Sequence, residues 1–243
     1  MVIPVRDDAR LLLRCLRALQ QQRLPADEVI VVDNDSVDGS AAVATAAGAR
    51  VVHCVERGIP AASAAGYDAA DGDLILRLDA DCVPPPSWTA DVVTLLQRRP
   101  ELDAVTGPGR FLDGPPAVRA VAALVYLGAY VLATAPALGH LPLFGSNMAL
   151  RKEVWLRVRD QVHRHDPEVH DDLDLAFHIG RGGRIGVLRS APMGISFRPM
   201  REGRAFARRL RRGMRTVIMH WPGEFPSRRW AHRLRHRTAG VVA

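Results

Sequence analysis

Short apolar runs alternate with amphipathic or alanine-rich stretches through the first half of the chain. Aliphatic runs bounded by polar or glycine residues are typical of buried strands, whereas leucines three and four apart indicate a helix. Leu12, Leu16 and Leu19 form such a helical stripe. This alternation predicts an α/β protein with a mostly parallel sheet covered by helices on both faces. The predicted strands are 2–5, 28–33, 50–54, 74–79 and 103–107, and the predicted helices are 8–22, 39–47, 61–70 and 88–97.

The second half is less regular and begins with a long uncharged segment. Residues 120–150 contain no Asp, Glu, Lys or Arg, and Ala120–Leu138 is long enough to raise the question of a membrane span. We do not expect a simple span, because it would place Asp81 and the later acidic cluster on opposite sides of the membrane. Two interpretations stay open. The first, which we favour, is a buried helix, and the second is a helix lying in the membrane interface.

Beyond this segment the pattern predicts a strand and three further helices. A strand at Met148–Leu150 leads into a helix at Lys152–Val158, and another helix begins with the acidic cluster near residue 171 and ends at Gly180–Gly183. The helix expected at Ala205–His220 has arginines on most of its surface. Its apolar stripe is formed by Phe206, Leu210, Met214 and Val217.

Charge is distributed unevenly along the chain. The bulk composition, with 48% hydrophobic and 24% charged residues, is ordinary for a globular protein. Residues 198–237, however, hold 13 Arg and two acidic residues, a net charge of +11 that leaves −4 for the rest. A basic end on an acidic body predicts an anionic partner, such as nucleic acid, anionic lipid or a phosphorylated substrate. Nucleic acid is the weakest of these, because an aromatic content of 5% is poor for base stacking.

The three cysteines and the first residues of the chain indicate the cellular compartment in which the protein works. Cys15, Cys54 and Cys82 are odd in number and lack metal-site spacing, which predicts reduced thiols in a cytoplasmic protein. We expect Cys82 to be a small buried residue and not a nucleophile. No secretory signal precedes the first strand, and because this strand is short we expect the natural start codon to lie upstream.

Carboxylates follow two of the predicted strands and crowd one helix start. Asp79 and Asp81 end the strand at 74–79, where open α/β sheets bind ligands, and Mg²⁺ is typically bound by one or two carboxylates plus substrate phosphates. A second strand ends in Asp33, which suggests one shared crevice. The helix start contains three acids; helix capping alone explains one or two of them. They are Asp171, Asp172 and Asp174.

These pieces, in this order and spacing, resemble the family 2 glycosyltransferases, which have the GT-A fold. The resemblance covers about residues 2–215. It implies transfer of a sugar from a nucleotide-diphosphate sugar to an acceptor hydroxyl with inversion, using Mg²⁺ or Mn²⁺. It also implies a GT-A catalytic domain at 1–197, followed by an Arg-rich helical extension at 198–243 packed on the same domain. The matching pieces are Val2–Val5, Glu28–Ser40, Gly66–Asp81, Gly145–Asn147 and Asp171–Leu175.

The resemblance assigns roles to individual residues. Asp79 and Asp81 match the DxD motif, with Asp81 as the expected direct metal ligand. Asp172 falls on the catalytic base, and like-charge repulsion from its acidic neighbours is expected to raise its pKa. The expected acceptor side consists of Gly145, Ser146, Asn147 and Asp171. The expected contacts of the nucleotide-sugar are Pro4, Arg6, Asp33, Asp35, Arg57, Asp79 and Ala80.

This chain departs from the family pattern at two places, and each departure makes the functional prediction more specific. Ala62-Ser63-Ala64 stands where the family often has Ala-Arg-Asn, so a phosphate contact is expected to be lost or replaced by Arg57 or Arg77. The family's Gln-x-x-Arg-Trp motif is absent, which favours transfer of single sugars. Two related alternatives are a nucleotidyltransferase and a noncatalytic nucleotide-sugar binder. The first is expected to have a Gly-rich basic loop where Arg6-Asp7-Asp8 stands, and the second to lack a base.

The expected partners follow from these assignments. They are a nucleotide-sugar donor and a carbohydrate or lipid-linked acceptor of cell-envelope polysaccharide synthesis, without nucleic acid. The uncharged 120–150 segment next to Gly145–Asn147 and the Arg-rich end together predict a cytoplasmic protein with peripheral contact to the inner face of the membrane.

Overall fold

The computed structural model describes residues 1–198 and 203–239, apart from the side chains of 203–206 and 235–239. The Phe206 side chain and residues 199–202 and 240–243 of the predicted extension therefore lie outside the described residues. The strands are β1 (Val2–Val5), β2 (Ile30–Asp33), β3 (Arg50–His53), β4 (Leu74–Arg77), β5 (Ala104–Thr106), β6 (Gly109–Phe111), β7 (Met148–Arg151), β8 (Ile185–Val187) and β9 (Met193–Ile195). The helices are α1 (Ala9–Leu19), α2 (Ser40–Ala46), α3 (Ile59–Ala69), α4 (Trp88–Arg98), α5 (Arg119–Leu138), α6 (Lys152–Val158), α7 (Asp171–Ile179), α8 (Gly203–Met219) and α9 (Pro226–Ala239).

Seven strands form one mostly parallel sheet, as predicted, in the order β3-β2-β1-β4-β7-β5-β8. Only β7 runs antiparallel to its two neighbours, β4 and β5. A parallel pair, β6 and β9, forms a separate small sheet. Because β1, β2 and β4 are parallel, their carboxyl ends lie at one edge of the sheet, where the predicted acidic residues follow them.

Both faces of the central strands are covered, which explains their continuous apolar sequence. The stripe predicted on α1 is buried on one face. On the other face α3 approaches closely because it is built from small residues. A Cβ at Gly66 would lie 2.3 Å from Cγ1 of Val2, so only glycine allows this helix to pack against β1.

The uncharged segment forms α5, but the expectation that it is a buried helix is wrong. Only 22% of its most apolar part is buried, although its length of 20 residues and its apolar composition would allow it to cross a membrane. A narrow face that includes Ala123, Thr134 and Ala137 is buried, while the other side has no neighbour among the described residues. Leu124 and Leu132 are 74% and 78% exposed. The result is a long apolar surface on one side of the helix.

The elements that the pattern did not predict are short or strongly basic. The strands β6, β8 and β9 have three residues each, including a glycine, which is too short for a periodic signal. Helix α9 contacts the rest of the chain through Arg229 among other residues, and the buried guanidinium of Arg229 donates to the carbonyl oxygens of Leu138 at 2.6 Å and Phe177 at 3.1 Å. One arginine thus joins α9 to the ends of α5 and α7.

Candidate active site

A cleft of about 360 Å³ opens at the carboxyl ends of β1 and β4, between the sheet and helices α5, α7 and α8. Its lining brings together residues that are far apart in sequence. The predicted residues that line it are Pro4, Arg6, Asp79, Ala80, Asp81, Ser146, Asp171 and Asp172.

Five predicted residues do not line this cleft. Asp33 is buried at the end of β2, where it accepts a hydrogen bond from the Ser36 amide at 3.3 Å. Asp35 and Arg57 form an ion pair of 3.2 Å on neighbouring exposed loops. The remaining two, Gly145 and Asn147, lie behind the surface of the cleft.

The Asn147 side chain is fully occupied inside the protein. Its Oδ1 accepts a hydrogen bond from Trp88 Nε1 at 2.8 Å, and its Nδ2 donates to the carbonyl oxygens of Pro108 and Ala191. These bonds join β7 to α4 and to the loops that flank the small sheet. The structure therefore assigns this side chain a supporting contact and does not bring it to the acceptor side.

A buried arginine joins the two groups of carboxylates. Arg77 lies at the end of β4, with its Nη2 3.0 Å from Asp79 Oδ1 and 3.3 Å from Asp171 Oδ2. Burial alone would lower the pKa of Arg77, but Asp171 and Asp79 outweigh it and hold this pKa well above its usual value. Ser63 adds a hydrogen bond to Asp171 at 2.9 Å. Arg77 is thus engaged by carboxylates at the centre of the site.

Gly145 is the residue that lets this arrangement form. Its amide donates to Asp172 Oδ2 at 2.7 Å, and a Cβ on it would lie 1.3 Å from Arg77 Nη1 and 3.1 Å from the same carboxylate oxygen. No side chain fits there without displacing the arginine. The glycine of the predicted acceptor motif therefore positions charged groups from behind and does not need to touch the acceptor.

Gly145→Ala is accordingly expected to displace Arg77, to lower the melting temperature and to reduce any activity of the site by at least about 10²-fold, the loss that misplacement by about 1 Å can cause. Gly128→Ala is the matched control, because Gly128 lies inside α5 with nothing within 4 Å of an added Cβ. This control is expected to stabilise the protein by about 0.5–1 kcal/mol. Thermal denaturation and activity assays check both. Equal behaviour of the two variants would contradict the crowding at Gly145.

Asp172 is the most strongly organised carboxylate of the cleft. Its Oδ1 accepts a hydrogen bond from His170 Nδ1 at 2.5 Å and lies 3.4 Å from the Tyr130 hydroxyl. Burial alone would raise the pKa of Asp172, but the His170 charge and hydrogen bond, with Arg77 behind them, lower it. The expected rise in this pKa is therefore wrong. The carboxylate is ionised at neutral pH, as a proton acceptor must be.

Asp79 and Asp81 provide the oxygen-rich corner of the cleft. Asp79 Oδ2 accepts a hydrogen bond from the Ser146 hydroxyl at 2.5 Å, and Asp81 lies 3.2 Å from Arg198 Nη2. Burial and the charge of Asp79 raise the pKa of Asp81, whereas Arg198 lowers it. A cation between the two carboxylates would offset their mutual repulsion.

The donor set decides which cation fits. The ligand atoms of Asp79, Asp81 and Cys82 lie within 4.8 Å of one another. Burial, Asp79 and Asp81 all raise the pKa of the Cys82 thiol well above its usual value, which favours the neutral thiol and makes the two carboxylates the better ligands. Two carboxylates with a nearby hydroxyl are the oxygen ligands that Mg²⁺ and Mn²⁺ prefer. The residues present therefore fit a hard divalent cation.

Several residues of the cleft were not assigned to it from the sequence. The two tyrosines come from the uncharged segment, where nothing marks them as facing a site. His170 directly precedes the acidic cluster, and its position at the helix start is the one signal that could have indicated it. The arginines come from the basic end, whose charge predicted an anionic partner. These residues are Tyr126, Tyr130, His170, Arg198, Arg209 and Arg212.

Comparison with known proteins places this site in a family context. The sequence model described as Glycosyl transferase family 2 matches residues 1–155. A TPR repeat-containing protein of Synechococcus elongatus is 46% identical over 78 residues, which are 32% of this chain and 19% of that protein. Glycosyltransferase AglE of Haloferax volcanii is 32% identical over 95 residues, 36% of this chain and 31% of AglE. The chain thus matches less than a third of the length of either relative.

Solved structures share the fold at low sequence identity. Glucosyl-3-phosphoglycerate synthase from Mycobacterium tuberculosis, in complex with UDP, superposes with a TM-score of 0.62 and 22% identity. The match covers 90% of this chain and 78% of that one. TarS of S. aureus gives a TM-score of 0.63 and 15% identity over 82% of this chain and 36% of TarS. Both likenesses confirm the predicted α/β architecture.

Proposed function

The chain belongs to glycosyl transferase family 2, and on this premise we propose that it moves one sugar at a time from a nucleoside-diphosphate sugar to an acceptor hydroxyl, with inversion. One observation carries the proposal. Asp79 and Asp81 line the same cleft as Asp172, so a metal-binding acid pair and an ionised base face one substrate-sized space. Sugar transfer from a nucleotide needs both groups.

The proposed donor class and metal cofactor are inferred from the acid pair, Asp79 and Asp81. Glucosyl-3-phosphoglycerate synthase has been solved with Mn²⁺, UDP and its glucosylated product, and we propose a donor of the same chemical class and Mn²⁺ or Mg²⁺ for this chain. Asp81 and Asp79 would hold the cation. When bound, it would offset the negative charge that develops on the leaving diphosphate. Arg198 and Arg209 line the same cleft and would add positive charge beside the phosphates.

Asp172 would remove the proton from the acceptor hydroxyl. Its carboxylate would take the proton of the attacking hydroxyl, while the His170 hydrogen bond and the Gly145 amide hold its orientation. Asp171 is paired with Arg77 and Ser63, which makes it the positioning carboxylate of the two. A single base with in-line displacement at the anomeric carbon inverts that centre. The absence of Gln-x-x-Arg-Trp supports transfer without processivity.

Nucleotide binding tests the donor half of this proposal. Isothermal titration of the protein with UDP, GDP and dTDP, with and without Mn²⁺, is expected to show one preferred nucleotide whose affinity depends on the metal. Because Asp81 and Asp79 would share the cation with the diphosphate, UMP, GMP and dTMP are expected to bind more weakly. Equal, metal-independent binding of mono- and diphosphates would contradict the assignment.

We further propose that the acceptor is lipid-linked and that the protein works in the cytoplasm on the inner face of the membrane. Three surface features support this. The apolar side of α5 is exposed next to the cleft, a shallow apolar groove on α8 is lined by Leu210, Met214 and Ile218, and exposed arginines flank that groove. An apolar surface with adjacent positive charge is the combination that binds anionic bilayers.

Co-sedimentation with liposomes checks this location. Binding at low salt is expected to rise with anionic lipid content, since each Arg near such a surface contributes about 1 kcal/mol before screening. Replacing Arg208, Arg209, Arg211 and Arg212 by Gln is expected to remove the salt-sensitive part. The matched control replaces four exposed arginines elsewhere by Gln, namely Arg10, Arg14 and Arg17 on α1 and Arg23 just after it.

The salt dependence of liposome binding separates the contribution of the arginines from that of the apolar surface. Binding that persists in high salt would be attributed to α5, and Leu124→Ser with Leu132→Ser is expected to remove it. Failure to bind anionic liposomes at low salt would contradict the location and favour a soluble acceptor. Equal losses in the α1 and α8 variants would show that the effect is net charge and not a surface.

A further inference from the structure

A second group of metal-ligating side chains lies outside the lining of the cleft and includes two residues of α7. It consists of His163, Asp174, His178 and His220, whose ligand atoms lie within 4.8 Å of one another. They come from the turn after α6, from α7 and from the residue that follows α8. None of the four lines the cleft.

The distances in this cluster have the size of a tetrahedral coordination shell. Asp174 Oδ1 lies 2.7 Å from His163 Nδ1, 3.5 Å from His178 Nε2 and 3.2 Å from His220 Nε2. Four ligands about 2.0–2.1 Å from a tetrahedral centre are about 3.3 Å apart. Two of the three imidazoles thus lie near this spacing from the carboxylate oxygen, and because all four ligand atoms lie within 4.8 Å of one another, small side-chain shifts would let them bind one zinc ion.

Contacts with the Asp174 carboxylate account for only part of the convergence. Only the His163 contact has hydrogen-bond geometry, while His220 Nε2 and both ring nitrogens of His178 are buried without a hydrogen-bond partner. The side chains of His178 and His220 are 6% and 4% exposed, and such buried polar atoms are rarely left unsatisfied. A cation among the four residues would satisfy His178 Nε2 and His220 Nε2 together.

Hydrogen bonds from surrounding groups orient two of the four ligands, His220 and Asp174, towards a shared ion. His220 Nδ1 donates to the Thr216 carbonyl at 2.7 Å, which leaves Nε2 as the unprotonated nitrogen of the neutral ring. Asp174 Oδ2 accepts the His163 amide at 2.8 Å, while Oδ1 faces the three imidazoles, and an ion would replace its 2.7 Å hydrogen bond with His163 Nδ1. Such outer hydrogen bonds are typical of metal-bound histidine and carboxylate. The His163 side chain is 38% exposed and provides access from solvent.

We propose that His163, Asp174, His178 and His220 bind one structural Zn²⁺. Imidazole ligands select zinc over Mg²⁺ or Ca²⁺, and four protein ligands leave no position open for catalysis. The ion would fasten the turn after α6 and the end of α8 to α7. Because Asp171 and Asp172 open that same helix, the zinc would hold the base and the basic segment in one arrangement.

Metal analysis tests the proposal without any assay of activity. The protein is incubated with ZnSO₄, dialysed against metal-free buffer and measured by inductively coupled plasma mass spectrometry. About one Zn²⁺ per chain is expected in the wild type and also in Asp81→Asn, which lacks the acid-pair ligand of the cleft. Co²⁺ in place of zinc is expected to give the intense visible bands of four-coordinate cobalt, unlike the weak bands of an octahedral oxygen site.

Two ligand variants and one matched control define the site. His163→Ala is expected to keep the fold, because this side chain is partly exposed, and to weaken zinc binding at least about tenfold. His220→Gln removes a buried ligand and is expected to do the same. His165→Ala is the control, since His165 lies on the same turn, is exposed, hydrogen-bonds Glu56 and stands outside the cluster.

The thermal response gives an independent readout. A chelator is expected to lower the melting temperature of the wild type and of His165→Ala, and to leave that of His163→Ala unchanged. A wild type that retains less than about a tenth of an equivalent of zinc would overturn the proposal. So would zinc affinity that is equal in the wild type, His163→Ala and His220→Gln.

Discussion

Asp81→Asn is expected to abolish sugar transfer, with a loss in kcat/KM of at least about 10³-fold, because charge stabilisation by a metal is worth several kcal/mol. The substitution keeps the size of the side chain and removes its charge. Arg198, now paired with Asp81 at 3.2 Å, would then face an uncharged amide. Excess chelator is expected to lower the kcat/KM of the wild type to the same extent.

The matched control lies at the other end of the same strand. Asp73 precedes β4, is exposed, and its substitution by Asn changes the net charge by the same amount. Asp73→Asn is expected to retain wild-type kcat/KM and metal dependence. Steady-state kinetics with circular dichroism of both variants checks the pair. Full activity of Asp81→Asn, or of the wild type in excess chelator, would rule out the metal role of the acid pair.

Asp172→Asn is expected to lower kcat by at least about 10²-fold, the low end for removal of a general base, while donor binding is retained. The amide keeps the shape of the carboxylate but takes no proton from the acceptor. Asp79 and Asp81 are untouched, so the KM or Kd for the donor is expected to change little. Single-turnover kinetics and nucleotide titration separate the two effects.

Two companion variants locate the base. Asp171→Asn breaks the ion pair to Arg77 and is expected to cost less than Asp172→Asn, because Asp171 positions and does not react. Asp160→Asn changes an exposed acid and is expected to have no effect. An inactive Asp171→Asn beside an active Asp172→Asn would show that the base is the neighbouring residue.

The sequence predicted the sheet well because its strands are apolar on both faces and end in acids. Parallel strands carry their carboxyl ends to one edge, so the strand pattern alone was enough to place Asp79 and Asp81 there. Asp172 could be placed only through the family resemblance, since helix capping explains an acid at a helix start equally well.

Other features depended on tertiary contacts that no local pattern encodes. Helix α5 has the composition of a buried helix, but few of the described residues pack against its apolar side. Arg77 was expected to be at most a phosphate contact, and only the fold shows that it joins Asp79 to Asp171. The lowered pKa of Asp172 depends on His170, whose ring turns towards it.

The histidine cluster is a further case. His163, His178 and His220 are separated by 15 and 42 residues, without the spacing of a familiar zinc motif. They meet because α6, α7 and α8 pack around Asp174. In the sequence Asp174 is one more acid of the helix start, and nothing there links it to the three histidines.

The most direct test of the central claim is turnover of nucleotide sugars. Release of nucleoside diphosphate from UDP-, GDP- and dTDP-sugars is measured with Mn²⁺ or Mg²⁺ for the wild type, Asp81→Asn, Asp172→Asn and Asp73→Asn. The account predicts metal-dependent release from one donor class by the wild type and Asp73→Asn, and almost none by the other two. No release from any donor with either metal, or equal release by all four proteins, would contradict it.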